Sequence, residues 1–456
     1  MLSRKNISLT EGPILKSIIL YAIPVMLGTL VQVLFNAADL AVLRYMADDV
    51  AVASVGATSS IINLLVNSFV GLSVGVNVML ARTIGQKNDA RASKIVNTSL
   101  IFSLALGILL AVGCAIFAKP LLDVTNCPED CFRGAERYLT VYTFGIPGIL
   151  VYNFGAAIIR TTGDTSRPFY YIVAAGILNV VLNVVMCFVL KEKVMAVAIA
   201  TAASQFLGAV LVILHLARMN GACRFNIKKM SFSFLELSGI LKIGAPSAFN
   251  SALFSLSNIQ MQAAINSYGY AATAGNTAAA TLESLVSSFT GAFNAAAVPF
   301  IGQNIGANNK KRVNQSIICC SVVSTSVAII LSFSVYLMGE FLLGFFVKSP
   351  DAIAFGMKRT KYVLLVYGIC VLYNSFVNAM QAFGYSFVPM INSIVTVLVF
   401  RLFWLEVVYP VLEAQNSIID NVYMCYTISW TLSLIAHSIT FAIIYTRYRR
   451  GKIKQV

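Results

Sequence analysis

Three charged residues stand deep inside long apolar stretches of this chain: Asp39, Glu283 and Arg401. A charge at the centre of a membrane-length helix costs about 2.5 to 3.5 kcal/mol on insertion scales, so each one needs a partner or a task. Asp39 follows Gln32 and Asn36, and spacings of four and three place all three on one helical face. Burial there opposes the charged carboxylate, while polar neighbours or a bound cation favour it, so the group could exchange a proton or Na⁺ as its access changes. A purely structural carboxylate is the plainer alternative. Glu283 forms a stripe with Ser287, Thr290 and Asn294, and Asn276 falls seven residues before it. That face suits cation or substrate binding, or bonding to a neighbouring helix. Arg401, in Val399-Phe400-Arg401-Leu402-Phe403-Trp404, is expected to neutralise Glu283 or Glu406 as a structural element, or to act directly in function.

Further polar side chains interrupt other apolar stretches. Asn63 and Asn67 follow Ser60, Asn179 precedes Asn183 by one turn, and Ser251, Ser255, Asn258 and Gln262 share a face. Asn153 joins Asn63, Asn67, Asn258 and Gln262 as a candidate for a polar cavity, although amides serve equally as glue between helices. Pro24, Pro147, Pro246 and Pro299 can bend their helices and free backbone carbonyls, and Pro24 and Pro246 are the expected hinges. His215 and His437 have no Cys or carboxylate at ligand spacing, so no metal site is expected. No Gly-rich phosphate loop is present, which argues against ATP as the energy source, and no cofactor is implied. Most of the nine cysteines lie in or beside apolar runs, where Cys acts as a small hydrophobe. Cys127 and Cys131 share a polar loop, and a disulfide between them is left open.

The elements that must hold these residues are membrane helices. The chain has 456 residues, 58% hydrophobic and 11% charged, against roughly 25% charged in soluble proteins. Apolar stretches fall near 17–43, 52–81, 95–118, 138–160, 168–190, 194–217, 239–266, 274–301, 314–339, 360–383, 388–410 and 421–446, each long enough to cross a bilayer. The expected fold is therefore all-α, with twelve transmembrane helices and no room for a soluble catalytic domain. The first run is too long for a cleaved signal and is kept as a span. The net charge of +15 comes from residues between the apolar runs, so it is read as a topology signal with no nucleic-acid partner. Placing both termini and the even-to-odd loops on one side gathers 22 of the 33 basic residues there, which predicts cytoplasmic termini.

An internal repeat divides the chain. Gly163 and Pro168 recur as Gly384 and Pro389, Tyr152-Asn153 as Tyr373-Asn374, and Ile84-Gly85 as Ile305-Gly306, all shifted by 221. Pro24 and Asn36 match Pro246 and Asn258 at a shift of 222. Two six-helix halves are implied, residues 1–217 and 239–456, joined by a cytoplasmic linker over 218–238. Six is even, so the repeats enter the membrane from the same side and are parallel. Such lobes can enclose a cavity and expose it alternately, which suits a transporter. A membrane enzyme would need a clustered catalytic set, and a channel a repeated filter loop; neither pattern is found.

Several stretches also carry a family resemblance. Leu9-Thr10-Glu11-Gly12-Pro13, Ile23-Pro24 through Asn36-Ala37-Ala38-Asp39, Ile84-Gly85-Gln86, Tyr152 through Asp164, Leu178-Asn179-Val180-Val181-Leu182-Asn183 and Gly302-Gln303-Asn304-Ile305-Gly306 together resemble the multidrug and toxic compound extrusion family over essentially the whole chain. The resemblance implies an antiporter in a cytoplasmic membrane, working as a monomer and expelling amphipathic, often cationic, small molecules in exchange for H⁺ or Na⁺. It places the coupling acid at Asp39, beside Asn36, with polar partners at Asn179, Asn183 and Thr201. Asn183 departs from branches that have Asp there. Branches with acids on spans 7 and 10 find Met261 between Gln260 and Gln262, and no acid between Tyr362 and Phe383. Glu283 is then the membrane carboxylate left to the second half. A flippase for lipid-linked precursors, as in other members of the superfamily, is the alternative; it would need a strongly cationic cavity, to which Arg401 alone would contribute.

Overall fold

The computed structural model describes residues 7–125, 127–226, 230–415 and 418–451. Among these residues the chain is helical, with no strand, as lipid demands of a backbone whose polar groups must be satisfied within each segment. The first half runs through α1 (Ile14–Met46), α2 (Asp49–Gly85), α3 (Asp89–Ile116), the short α4 (Ala118–Val124), α5 (Glu129–Thr143), α6 (Ile146–Thr161), α7 (Ser166–Val189) and α8 (Lys193–Arg218). The second half runs through α9 (Phe234–Asn266), α10 (Tyr270–Gly306), α11 (Lys310–Leu337), the short α12 (Gly339–Gly344), α13 (Pro350–Val363) and α14 (Tyr367–Ala382). A broken span over Phe387–Gln415 and a final helix, α18 (Asp420–Arg449), complete it. The broken span consists of α15 (Phe387–Ser393), α16 (Phe400–Phe403) and α17 (Tyr409–Gln415), separated by π-helical turns at Ile394–Val399 and Trp404–Val408.

Nine helices among the described residues are long and apolar enough to cross a membrane, and eleven spans result when α5 with α6 and α13 with α14 each count as one. α9 is more polar, but its 33 residues reach about 50 Å at 1.5 Å per residue, and it completes a twelve-helix fold. Side chains such as Leu109, Phe188 and Ile330 remain largely exposed on span surfaces, as expected of faces turned to lipid.

The sequence repeat is written into the backbone. α2 and α10, α3 and α11, and α6 and α14 begin and end 221 residues apart. Asn88 caps α3 by accepting from the Arg91 N–H at 3.0 Å, and Asn309 caps α11 by accepting from the Arg312 N–H at 3.0 Å. These caps satisfy otherwise orphaned helix-terminal donors. The preceding residues, Lys87 and Asn308, turn the chain through left-handed conformations with φ of 55° and 54°. Both halves also bend at the same register, by 47° between α5 and α6 and by 45° between α13 and α14. Gly163 needs its missing side chain twice over: its φ is +89°, and a Cβ there would lie 2.1 Å from the Ile7 carbonyl oxygen.

Two compact units emerge, one built on Ile23–Gly244 and the other on Leu9–Ala22 with Ala245 onward. The division passes through α1 just before Pro24 and through α9 just before Pro246, the two prolines inside those helices. In the first unit, Gly75 on α2 and Gly244 on α9 allow close backbone approach: a Cβ on either would fall within 2.4 Å of a carbonyl oxygen of the other helix. In the second unit, an aromatic core of Tyr367, Tyr373, Tyr423, Tyr426, Trp404 and Trp430 packs between α14, the broken span and α18.

Candidate functional site

The first unit contains a cavity of about 460 Å³. α1 contributes Gln32 and Asp39 to its wall, α2 Asn63, α6 Asn153, α7 Asn179 and α8 Thr201, while α5 adds Tyr138 and Tyr142. Asn67, one turn beyond Asn63, lies outside the lining and is exposed. The side chain of Asn36 is outside the described residues.

Asp39 is 8% exposed and sits in a ring of neutral groups. Asn183 Nδ2 donates to Asp39 Oδ1 at 2.5 Å and lies 3.3 Å from Asn179 Oδ1. Asn179 Nδ2 donates in turn to Thr201 Oγ1 at 3.3 Å. The Thr201 hydroxyl lies 3.4 Å from Asp39 Oδ2 but only 2.9 Å from the Val197 carbonyl of its own helix. A hydroxyl has one proton to give, and the shorter bond claims it. Asn183 Oδ1 is buried without a hydrogen-bond partner among the described residues. The ring therefore holds more lone pairs than hydrogens, a deficit that a proton or a small cation would fill. No described basic side chain pairs with Asp39. The four groups meet because α7 carries its two amides one turn apart and packs against α8.

The second unit arranges its polar residues differently. Glu283 on α10 does not meet Arg401; it forms an ion pair with Arg359 of α13, Nη2 to Oε2 at 2.5 Å. The other terminal nitrogen of Arg359 donates to Asn276 Oδ1 at 2.7 Å, and Asn276 Nδ2 donates to Gln262 Oε1 at 2.7 Å. Arg401 instead bonds neutral groups: Ser429 Oγ, Ser257 Oγ and Asn258 Oδ1, each at 3.2 Å. Both guanidinium groups lie over the ring of Tyr426, Arg359 at 5.4 Å and Arg401 at 4.5 Å from its centroid. The expected neutralisation of Arg401 by Glu283 or Glu406 is thus corrected: Glu283 is taken by Arg359, and Glu406 is exposed. Arg359 escapes a hydropathy reading because it stands one residue before the apolar run at 360, within a basic cluster that reads as loop. α13 in fact starts at Pro350 and carries Arg359 nine residues into the helix, where its side chain is buried. The polar stripe on α10 was the available signal, since a Glu within a membrane span calls for a partner on some facing helix.

His437 hydrogen-bonds the Ser433 and Pro389 carbonyls, at 2.7 and 3.3 Å, and His215 lies 3.2 Å from Arg167 Nη1. Cys127 and Cys131 are both free thiols.

A duplicated twelve-helix membrane protein with a polar cavity around a buried carboxylate has the construction of a membrane transporter. The profile of the MatE family matches residues 24–185 and 246–404, one match in each half. The chain belongs to this family, the multidrug and toxic compound extrusion transporters. It is 26% identical over 381 residues to a probable multidrug resistance protein, YpnP, of Bacillus subtilis (strain 168), covering 83% of this chain and 85% of the relative. It is 25% identical over 319 residues to a protein of Shewanella oneidensis named as an FAD transporter, covering 68% and 69% of the two chains. A solved MOP superfamily transporter from Pyrococcus furiosus has the same fold, with a TM-score of 0.88 at 20% identity, over 98% of this chain and 100% of that one.

Proposed function

We propose that this protein is a secondary antiporter of the cytoplasmic membrane, with both termini inside. In this reading it exports amphipathic or cationic compounds in exchange for H⁺ or Na⁺. The observation that carries the reading is the donor-poor ring of Asp39, Asn183, Asn179 and Thr201 beside the cavity of the first unit. The names of the relatives, multidrug resistance among them, support export of small molecules. A cation entering from outside binds Asp39, and the change in charge and hydrogen bonding weakens the hold of the cavity on its cargo. Lobes 1–217 and 239–456, linked through 218–238, then rock about the prolines at 24 and 246, release the ion inside and reload. Asn63 and Asn153 are contacts for cargo in the cavity.

One charge moving down 100 mV supplies about 2.3 kcal/mol, enough for roughly a 50-fold concentration ratio at 1.4 kcal/mol per decade. A single coupled ion therefore suffices for useful export by a monomer.

Dye efflux in inverted vesicles, driven separately by H⁺ and by Na⁺ gradients, tests the reading. Asp39→Asn should abolish gradient-driven efflux under the ion that drives the wild type. Undiminished efflux in that variant would remove Asp39 from the coupling step.

A further inference from the structure

The charges inside the second unit do not cancel. Arg359 and Arg401 share the ring of Tyr426, and Glu283 balances only Arg359. The other acids that side chains of this half engage are committed elsewhere: Glu413 accepts from the Tyr268 hydroxyl at 2.5 Å, and Asp420 pairs with Lys358 at 3.2 Å and accepts from Tyr362. Arg401 is 1% exposed, yet no described carboxylate forms an ion pair with it. Its Nε and Nη1 reach neutral oxygens at 3.2 Å, while Nη2 makes no hydrogen bond among the described residues. A buried guanidinium with one terminal nitrogen unused and the other on weak neutral acceptors is a fork awaiting an oxyanion, because charged acceptors bind arginine about twice as strongly as neutral ones and do so bidentately.

Local backbone geometry supports this. Arg401 sits on the four-residue α16, between two π-helical stretches, and such widened turns are frequent at functional sites. The equivalent helix of the first unit, α7, is regular throughout. Asn258, one of the two acceptors on Nη1, is an exposed residue, whereas the other, Ser257, is buried.

We propose that Arg401, gated by Asn258, is an anion-binding subsite that accepts the carboxylate or phosphate group of an amphipathic compound. This deepens the export reading by naming a substrate class, zwitterionic or anionic amphipaths, to which Asp39 alone gives no counter-charge. The subsite can be read by binding without transport, so its failure is separable from failure of the antiport reading.

The two tryptophans of the chain make the test direct. Trp404 lies one turn from Arg401, and the Trp430 ring is 5.9 Å from that of Tyr426. Purified full-length protein in nanodiscs is titrated with octanoate, with octylamine and with inorganic phosphate while tryptophan emission is followed. Octanoate should give a saturable change that octylamine, with the same tail length, does not. Phosphate that saturates the same signal marks the subsite as accepting a free oxyanion; phosphate that neither binds nor competes marks the anion as one carried by an amphipath. Arg401→Gln should weaken octanoate binding by at least about tenfold, and Arg401→Lys, which keeps charge but loses the fork, by less. Asn258→Ala, which removes one of the competing neutral acceptors, should tighten it. Thermal melts establish that each variant is folded. If Arg401→Gln does not fold, the Lys and Ala variants decide the question. No saturable octanoate signal in the wild type, an equal response to octylamine, or octanoate affinity unchanged by the Arg401→Lys and Asn258→Ala substitutions overturns the proposal.

Discussion

The two halves share one backbone template and use it to build opposite electrostatics. In the first unit a single carboxylate accepts from one amide, in a ring of neutral groups next to open space. In the second, two guanidinium groups share one tyrosine ring in a packed aromatic core, and one glutamate pairs with only one of them. α2 and α10 match residue for residue in extent, as do α3 and α11. Duplication has thus preserved turns, caps and bends, while the buried polar residues have diverged. Two carboxylates within the spans of one protein can thus have unlike surroundings. Asp39 has no cationic partner among the described residues, which is what the proposed ion coupling requires of it. Glu283 is paired with Arg359 and so ties α10 to α13.

The same acid-to-amide exchange in each unit should therefore separate function from stability. Asp39→Asn is expected to reduce gradient-driven efflux by at least about two decades, equivalent to roughly 3 kcal/mol. Its thermal stability should stay within about 1 kcal/mol of the wild type, since no ion pair is lost. Glu283→Gln should do the reverse. It strands the buried Arg359 guanidinium and should cost about 3 kcal/mol of stability, seen as a clearly lowered melting temperature in detergent. If the two variants melt alike, the contrast drawn between the units is wrong.

A finer comparison uses Gly163→Ala, which should destabilise the first unit by about 1 to 3 kcal/mol because both its φ and the nearby Ile7 carbonyl forbid a side chain. The smallest effect is expected at the paired turns. Lys87→Gly should stabilise by about 1 kcal/mol, since a lysine pays for its left-handed conformation. Asn308→Gly should gain less, because Asn visits that region more readily. Equal gains would mean that the two turns are not strained as their residue types suggest.

Much of this was legible in the residues themselves. Every apolar run recurs as a helix or a bent pair, because lipid leaves the backbone few alternatives, and the 221-residue shift reappears as matched helix ends. The approach of Asp39, Asn179, Asn183 and Thr201 was implied by family resemblance; spacing alone put only Asn179 with Asn183 on a common face. The partner of Glu283 was not legible. Arg359 lies 76 residues from it, and a hydropathy window assigns a basic residue at the start of a span to the interface. The π-helical turns around Arg401 also left no mark, since their residues are as apolar as those of an ordinary span.

The residues alone show that this chain crosses a membrane many times, that its halves are copies, and that Asp39, Glu283 and Arg401 lie within them. Those properties depend on local composition and period, which act residue by residue. Tertiary structure decided which charge is paired and which is free, because pairing depends on helix rotation and on where a bent span places a side chain. A helix turned by one residue presents a different face, about 100° away at 3.6 residues per turn, and no pattern within a single span records that choice.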